Sequence, residues 1–176
     1  MTTIDLIVLG IVKQKPLSAY DIQKLVEYRN ISKWVKISTP SIYKKVIKLE
    51  EKGYIKSTMV KEGKMAEKAV YSLTDDGEKE FKALMLGISS QPINMFLDFN
   101  AVIVNLNSLS PENKKVCLRN IEDNVKTLKS YLEENINSKE DLPEIPETGK
   151  AVLQQQFILA KAIETWLKSV KLNIQN

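Results

Sequence analysis

The stretch from Ser38 to Ile55, STPSIYKKVIKLEEKGYI, constrains the fold of this chain more than any other. Pro40 suits a first helical position, where its missing N–H removes no hydrogen bond; Thr39 before it can cap, and Gly53 suits the helix end. At about 100° per residue, Ile42, Val46 and Leu49 fall on one narrow apolar stripe, while Ser41, Lys44, Lys48 and Lys52 fall together on the opposite side. The stripe needs a core to pack on. The opposite side, read as one serine and three lysines with no hydrophobe, is free to meet an anionic surface.

Two helices are expected before this one. Ile4, Ile7, Val8, Ile11 and Val12 mark an apolar side from Thr3 to about Gln14, and Lys15-Pro16-Leu17 stops it. Ser18 is the N-cap of the second helix, with Asp21 three residues on as a weaker form of capping box, and Tyr20, Ile22, Leu25 and Val26 form its buried side. An irregular link from Asn30 to Ser38 follows, in which Trp34 anchors the turn. Beyond the third helix, Tyr54 to Lys61 loses the helical period, Glu62-Gly63-Lys64 supplies a turn and Ala69 to Leu73 alternates, which predicts a two-stranded hairpin. Thr74 then caps a further helix whose first turn carries Asp75, Asp76 and Glu78, the sign favoured at a helix N-terminus. Capping explains these carboxylates without a catalytic role, since neither a nucleophile nor a metal ligand accompanies them.

Helix, helix, helix, hairpin is the order of a winged helix-turn-helix, in which the third helix enters the major groove and the hairpin lies along the backbone. Charge agrees with that use. Residues 1–85 hold sixteen lysines and arginines against eleven carboxylates, whereas residues 86–176 hold ten against eleven. The surplus is densest over residues 30–68, with ten lysines against four glutamates. Lys36, Lys44 and Lys48 are the expected phosphate contacts of the reading helix, with Ser38, Thr39, Ser41 and Tyr43 approaching the groove and Lys64 and Lys68 serving the wing. Arg29 and Arg119 are the only arginines, and neither lies on the reading helix. Little guanine reading by arginine is therefore expected, and more dependence on A·T-rich shape.

From Pro92 to Leu109 the chain is apolar on nearly every side, which predicts a helix buried all round. Ser110-Pro111-Glu112 opens another helix, whose Leu118, Ile121, Val125, Leu128, Leu132 and Ile136 recur at coiled-coil spacing. Leu142-Pro143-Glu144-Ile145-Pro146 reads as a stiff exposed link. The last helix, about Thr148 to Ile174, carries Val152, Leu159 and Trp166 seven apart, with Ile163 and Val170 between and Leu153, Phe157, Leu167 and Ile174 widening the stripe. Three or four helices struggle to cover all these stripes, so a second subunit is the natural cover, with Phe96, Phe99, Val152, Leu159, Ile163, Trp166 and Val170 as the dimer interface. The expected fold is thus mostly α: a winged helix-turn-helix over residues 1–88 and a helical dimerisation domain over residues 89–176.

Taken together, these residues resemble the PadR family of bacterial transcriptional regulators. Ile7-Val8-Leu9-Gly10-Ile11-Val12 with Pro16-Leu17-Ser18-Ala19-Tyr20-Asp21-Ile22 is similar to the family's opening, with Ala19 where glycine is common. Ser38, Ser41-Ile42-Tyr43, Leu49-Glu50, Lys52-Gly53-Tyr54-Ile55 and Tyr71-Ser72-Leu73-Thr74 with Gly77 resemble its recognition-helix and wing signature. The wing tip Gly63-Lys64-Met65-Ala66-Glu67 lacks the family's proline and arginine. The resemblance implies a homodimer formed through the C-terminal helices that binds an inverted-repeat operator and represses the adjacent gene. In some members a small aromatic or amphipathic molecule releases DNA, and here Trp166, Phe96, Phe99 and Tyr131 are the candidate lining.

Other function classes fare worse. With no histidine and the lone Cys117, a zinc site is implausible and an internal disulfide excluded, so neither metal nor cofactor is expected. Without a glycine-rich phosphate loop or an activated Ser or Cys constellation, an enzyme ranks last. No apolar run approaches the ~20 residues that span a bilayer, and no signal segment is visible, so no membrane association and a cytoplasmic location are expected. The alternative kept open is a winged-helix protein-interaction module without sequence-specific DNA binding.

Overall fold

The computed structural model describes residues 2–35, 37–38, 40–61 and 66–175, the side chains of Ile174 and Gln175 excepted. The order is α1 (Thr3–Gln14), α2 (Ala19–Tyr28), a 3-10 turn (Ile31–Lys33), α3 (Ser41–Glu51), β1 (Ile55–Val60), β2 (Lys68–Leu73), α4 (Asp75–Ser89), α5 (Phe99–Asn105), α6 (Pro111–Lys139) and α7 (Glu147–Gln175). Two compact units result, residues 1–93 and 94–176. The fold is mostly helical with one antiparallel hairpin, as the sequence predicts.

In the first unit, α1, α2 and α3 converge on a core of Val8, Leu9, Val12, Ile22, Val26, Ile42, Val46 and Leu49, closed by Ile31, Ile55 and Leu84. Trp34 packs against that core from the link before α3. The N-terminus of α2 is fixed by the Ser18 hydroxyl oxygen, which accepts from the Asp21 N–H at 3.2 Å. β1 pairs with β2 in the register Ile55 with Leu73 to Val60 with Lys68. Leu17, just past Pro16, adds a single antiparallel pairing to Tyr71, with both backbone hydrogen bonds made. One paired residue has no period, so the sequence pattern gives no sign of it.

α3 starts one residue later than the sequence suggests: Pro40 is its N-cap and Ser41 its first helical residue. The Ser41 hydroxyl and N–H both donate to the Ser38 carbonyl, at 2.5 and 3.0 Å, which closes the turn into the helix. At the far end Gly53 has φ 74°, its N–H donates to the Glu50 carbonyl, and the Tyr54 N–H reaches back to Leu49. This pair of bonds is a Schellman ending, in which a residue lacking Cβ takes the left-handed conformation without penalty. Gly77 answers to a different need. A Cβ there would lie 1.9 Å from the Tyr54 carbonyl oxygen, so only glycine lets α4 start against the end of the reading segment. Thr74 caps α4 by accepting from the Gly77 N–H, and its hydroxyl donates to the Gly53 carbonyl at 2.7 Å.

In the second unit α6 and α7 run antiparallel, pinned by a 2.6 Å Lys129–Glu164 pair and by Lys171 on Glu122. Two expectations are corrected here. The segment from Pro92 is not one helix buried all round: α5 spans only Phe99–Asn105, and Ile93, Phe96 and Val104 are 94%, 86% and 77% exposed in the single chain. Ile145 is buried, so the link before α7 is an anchored turn and not an exposed spacer. Within the chain α7 buries Leu153, Ala160 and Leu167, the row next to Val152, Leu159 and Trp166.

Candidate nucleic-acid interface

The buried stripe of α3 sets what its free side presents. Ile42, Val46 and Leu49 are at most 1% exposed, and Lys44, Lys48 and Lys52 stand out in solvent on the other side, with Ser41 half-buried beside them. The free side is not purely polar. Ile47, between Lys44 and Lys48, is 51% exposed, which corrects the reading of a face without a hydrophobe. Tyr43 is exposed toward the hairpin side of the helix, close to Tyr71, whose phenol is held above its ordinary pKa by burial and by the neighbouring Glu50 and Tyr43. Among the other candidates Ser38 is exposed, and Lys36, Thr39 and Lys64 lie outside the described residues.

Lysines on this unit divide by what they touch. Lys45 points away from the free face and forms a 2.9 Å ion pair with Asp5 of α1, whose carboxylate is 4% exposed and also accepts from the Thr2 N–H at 2.6 Å and its hydroxyl at 3.0 Å. Burial pushes the Asp5 carboxyl up, but the Lys45 ammonium and the Thr2 donors outweigh it and hold the group below the usual carboxylate value. The pair ties α3 to α1 from beneath. On the hairpin, Lys68 lies 3.6 Å from Asp21 of α2, so this wing candidate is engaged within the fold. The hydrogen bond from the Ser18 hydroxyl, with the Lys68 charge, outweighs the upward push of burial and leaves Asp21 below its ordinary pKa. Lys56 and Lys61 remain exposed on β1 and just after it. Glu50 accepts from the Ser57 N–H at 3.0 Å, fixing β1 to the reading helix.

Sequence reasoning missed Asp5–Lys45, although a signal was present. An aspartate at the centre of the stripe formed by Val8, Leu9 and Val12 has to find a cation when buried. It also missed Ile47, an apolar residue more than a quarter-turn off the buried stripe.

In the second unit the candidate interface residues do not share one environment. Phe96 and Trp166 are exposed in the single chain, while Phe99, Val152, Leu159, Ile163 and Val170 are half-buried. Phe99 and Trp166 pack with ring centroids 5.9 Å apart and planes tilted by 33°, beside an open groove of about 390 Å³ whose lining also includes Met95, Leu128, Leu159 and Ile163. Of the four candidate ligand residues, the groove takes in Phe99 and Trp166, while Phe96 and Tyr131 are outside its lining. Among the described residues no group of acidic, histidine or cysteine side chains is placed to hold a metal, and no helix is long and apolar enough to cross a membrane.

Residues 8–83 match the model of the transcriptional regulator PadR-like family, a family of regulators and not of enzymes. The structure of Bacillus subtilis PadR in complex with operator DNA is 24% identical, covers 98% of this chain and 99% of that one, and superposes with a TM-score of 0.82. The same protein in complex with p-coumaric acid is 21% identical over 100% and 99% of the two chains, with a TM-score of 0.79. The Vibrio cholerae virulence activator AphA is 20% identical over 99% and 100%, with a TM-score of 0.73. The chain therefore has the fold of these regulators from end to end. No curated protein matches its sequence significantly.

Proposed function

We propose, from the premise that residues 8–83 belong to the PadR-like family of transcriptional regulators, that this chain binds a specific DNA sequence as a homodimer and represses transcription from it. In this reading residues 1–88 form the DNA-binding domain, residues 89–176 the dimerisation domain, and the protein works in the cytoplasm on an inverted repeat. The observation that carries it is the outward side of α3, where Lys44 and Lys48 stand exposed opposite a stripe that is almost fully buried. Phosphate contacts of this kind release counterions, and each one adds ~0.9 to the slope of log affinity against log salt. Bacillus subtilis PadR, which shares the fold, is known with operator DNA bound.

Self-association is supported by the apolar surface that the single chain leaves uncovered, Phe96, Val104, Met95 and Trp166 among it. The groove beside Phe99 and Trp166 has the size and apolar character for one aromatic ring, and we assign it to a small aromatic effector that releases the DNA. The same regulator from Bacillus subtilis is known with p-coumaric acid.

The test compares the intact protein with a Lys44→Ala, Lys48→Ala double variant on duplex DNA across a series of salt concentrations. Expected is weaker binding to all duplexes and a slope reduced by ~3.6, the worth of four phosphate contacts, two from each protomer, with unchanged circular dichroism. A double variant with full affinity and slope overturns the assignment of this face. Exposed Ile47 is the one feature that favours a protein-interaction module instead. That alternative gains if the intact protein shows no salt-dependent DNA binding at all.

A further inference from the structure

Ile47 deserves an explanation because every neighbour on its face is charged or polar. Burying it in the core is open to the helix only by rotation, and Ile42, Val46 and Leu49 already fill that side. A β-branched hydrophobe 51% exposed in the middle of a lysine face does nothing for solubility, and alanine there would suit the helix better. Its surroundings identify what covers it. Lys44 and Lys48, one turn apart from each other along the edge of the face beside Ile47, call for an anionic surface, and the groove of duplex DNA is the anionic surface that also offers an apolar group, the C5 methyl of thymine. The other side chains on this face leave little base reading to do. The Ser41 hydroxyl already donates to the Ser38 carbonyl, the lysines serve phosphates, no arginine lies on α3, and Tyr43, exposed one turn before Ile47, is left as the candidate for a base hydrogen bond. Glu51, exposed one turn beyond Ile47, carries the sign that the phosphate backbone repels.

We propose that Ile47 is a specificity residue that reads the methyl group of one thymine in each half-site, so that the free face of α3 holds its DNA by Lys44 and Lys48 and chooses it by Ile47. This inference rests on the DNA-binding reading given above. It names the chemistry of the preferred base: a thymine on the major-groove side, contacted by its methyl and not by a hydrogen bond.

The experiment starts from the full-length protein and a duplex site selected from a random library. Each thymine is then replaced in turn by deoxyuridine, which keeps the pairing and removes only the methyl, and binding is followed by fluorescence anisotropy. The intact protein should lose about 4-fold in affinity per half-site at one position, the equivalent of one buried methyl. Ile47→Ala should bind the methylated site about as weakly as the intact protein binds the deoxyuridine site, and should lose nothing further there, the non-additivity expected of a direct contact. Ile47→Val should keep part of the sensitivity. Because the side chain is exposed, circular dichroism of both variants should match the intact protein. A protein that binds its selected site with no deoxyuridine-sensitive thymine, or an Ile47→Ala variant with undiminished sensitivity, overturns the inference and leaves DNA binding standing. Absence of any selectable site or salt-dependent duplex binding overturns DNA binding itself, and the inference with it.

Discussion

Replacing Asp5 by asparagine removes one charge and almost no volume, and so isolates what the buried ion pair contributes to holding the reading helix in place. The carboxylate takes three donors, the Thr2 N–H, the Thr2 hydroxyl and the Lys45 ammonium, within a side chain that is 4% exposed. Breaking a fully buried pair costs about 3 to 5 kcal/mol, and an exposed one contributes less than about 1. Lys45 is 23% exposed, so water can take over part of its hydration, and the expected loss lies between those limits, about 2 kcal/mol. Trp34 packs on this core and the only other tryptophan is Trp166, so urea unfolding followed by fluorescence in a Trp166→Phe background reports on the first unit alone. The pH dependence gives the argument its second test. Because the folded carboxyl has a pKa below its ordinary value of 3.8, its contribution is complete above that value and is lost as pH falls through it toward the folded pKa. Other carboxylates titrate in both proteins and cancel in the difference. The gap between the intact protein and Asp5→Asn should therefore be full near neutral pH and close in acid. A gap that stays constant into acid, or no gap at neutral pH, would falsify the claim that a charge pair anchors α3.

Gly77→Ala should destabilise the first unit by about 3 kcal/mol or more, seen as a lowered urea midpoint, because the new Cβ meets the Tyr54 carbonyl and α4 has to shift. Leu167→Ala should lower the stability of the helical unit by about 2 to 5 kcal/mol, read by thermal melting, since the side chain is 1% exposed against α6. Phe96→Asp, at a position 86% exposed in the single chain, should leave helix content unchanged and shift sedimentation toward the monomer. If Phe96→Asp sediments as the intact protein does, that ring is not part of a self-association surface.

Where one periodic signal decided the structure, the sequence was sufficient. The limits of α1 and α2, the buried stripe of α3, the Thr74 cap and the hairpin register region all follow from spacing and capping chemistry acting within about ten residues. What escaped depended on partners far along the chain. Asp5 and Lys45 are forty residues apart, and the Leu17 pairing to Tyr71 spans more than fifty, so no local pattern reports either. Lys68 reads as a wing lysine because the sequence does not reveal that α2 brings Asp21 to within 3.6 Å of it. The free face of α3 is legible in its charges but not in Ile47, because a buried stripe leaves the rest of the helix unspecified and an exposed hydrophobe there has no period of its own.

The helical half shows a different kind of ambiguity. In α7 two rows of apolar residues repeat every seven positions, Val152, Leu159 and Trp166 in one and Leu153, Ala160 and Leu167 in the other, about 100° apart around the axis. Periodicity alone cannot say which row faces α6. Size can: Ala160 is 1% exposed, and a small residue at the centre of a row is what lets two helix backbones approach, whereas Trp166 at a close helix crossing would force them apart. The row with the small centre packs within the chain, and the row with the large aromatic is left outward, 39% exposed at Trp166. The same logic accounts for the segment after Pro92. Its residues are apolar on nearly every side, yet the single chain buries Leu106, half-covers Phe99 and Ile103, and leaves Phe96 and Val104 in solvent. An apolar segment only partly covered in its own chain gains stability in water when something else covers the rest. A second copy, bringing its own outward row, is the partner whose surface matches in character, which is why the dimer proposal rests on the exposed residues of this half and not on its buried ones.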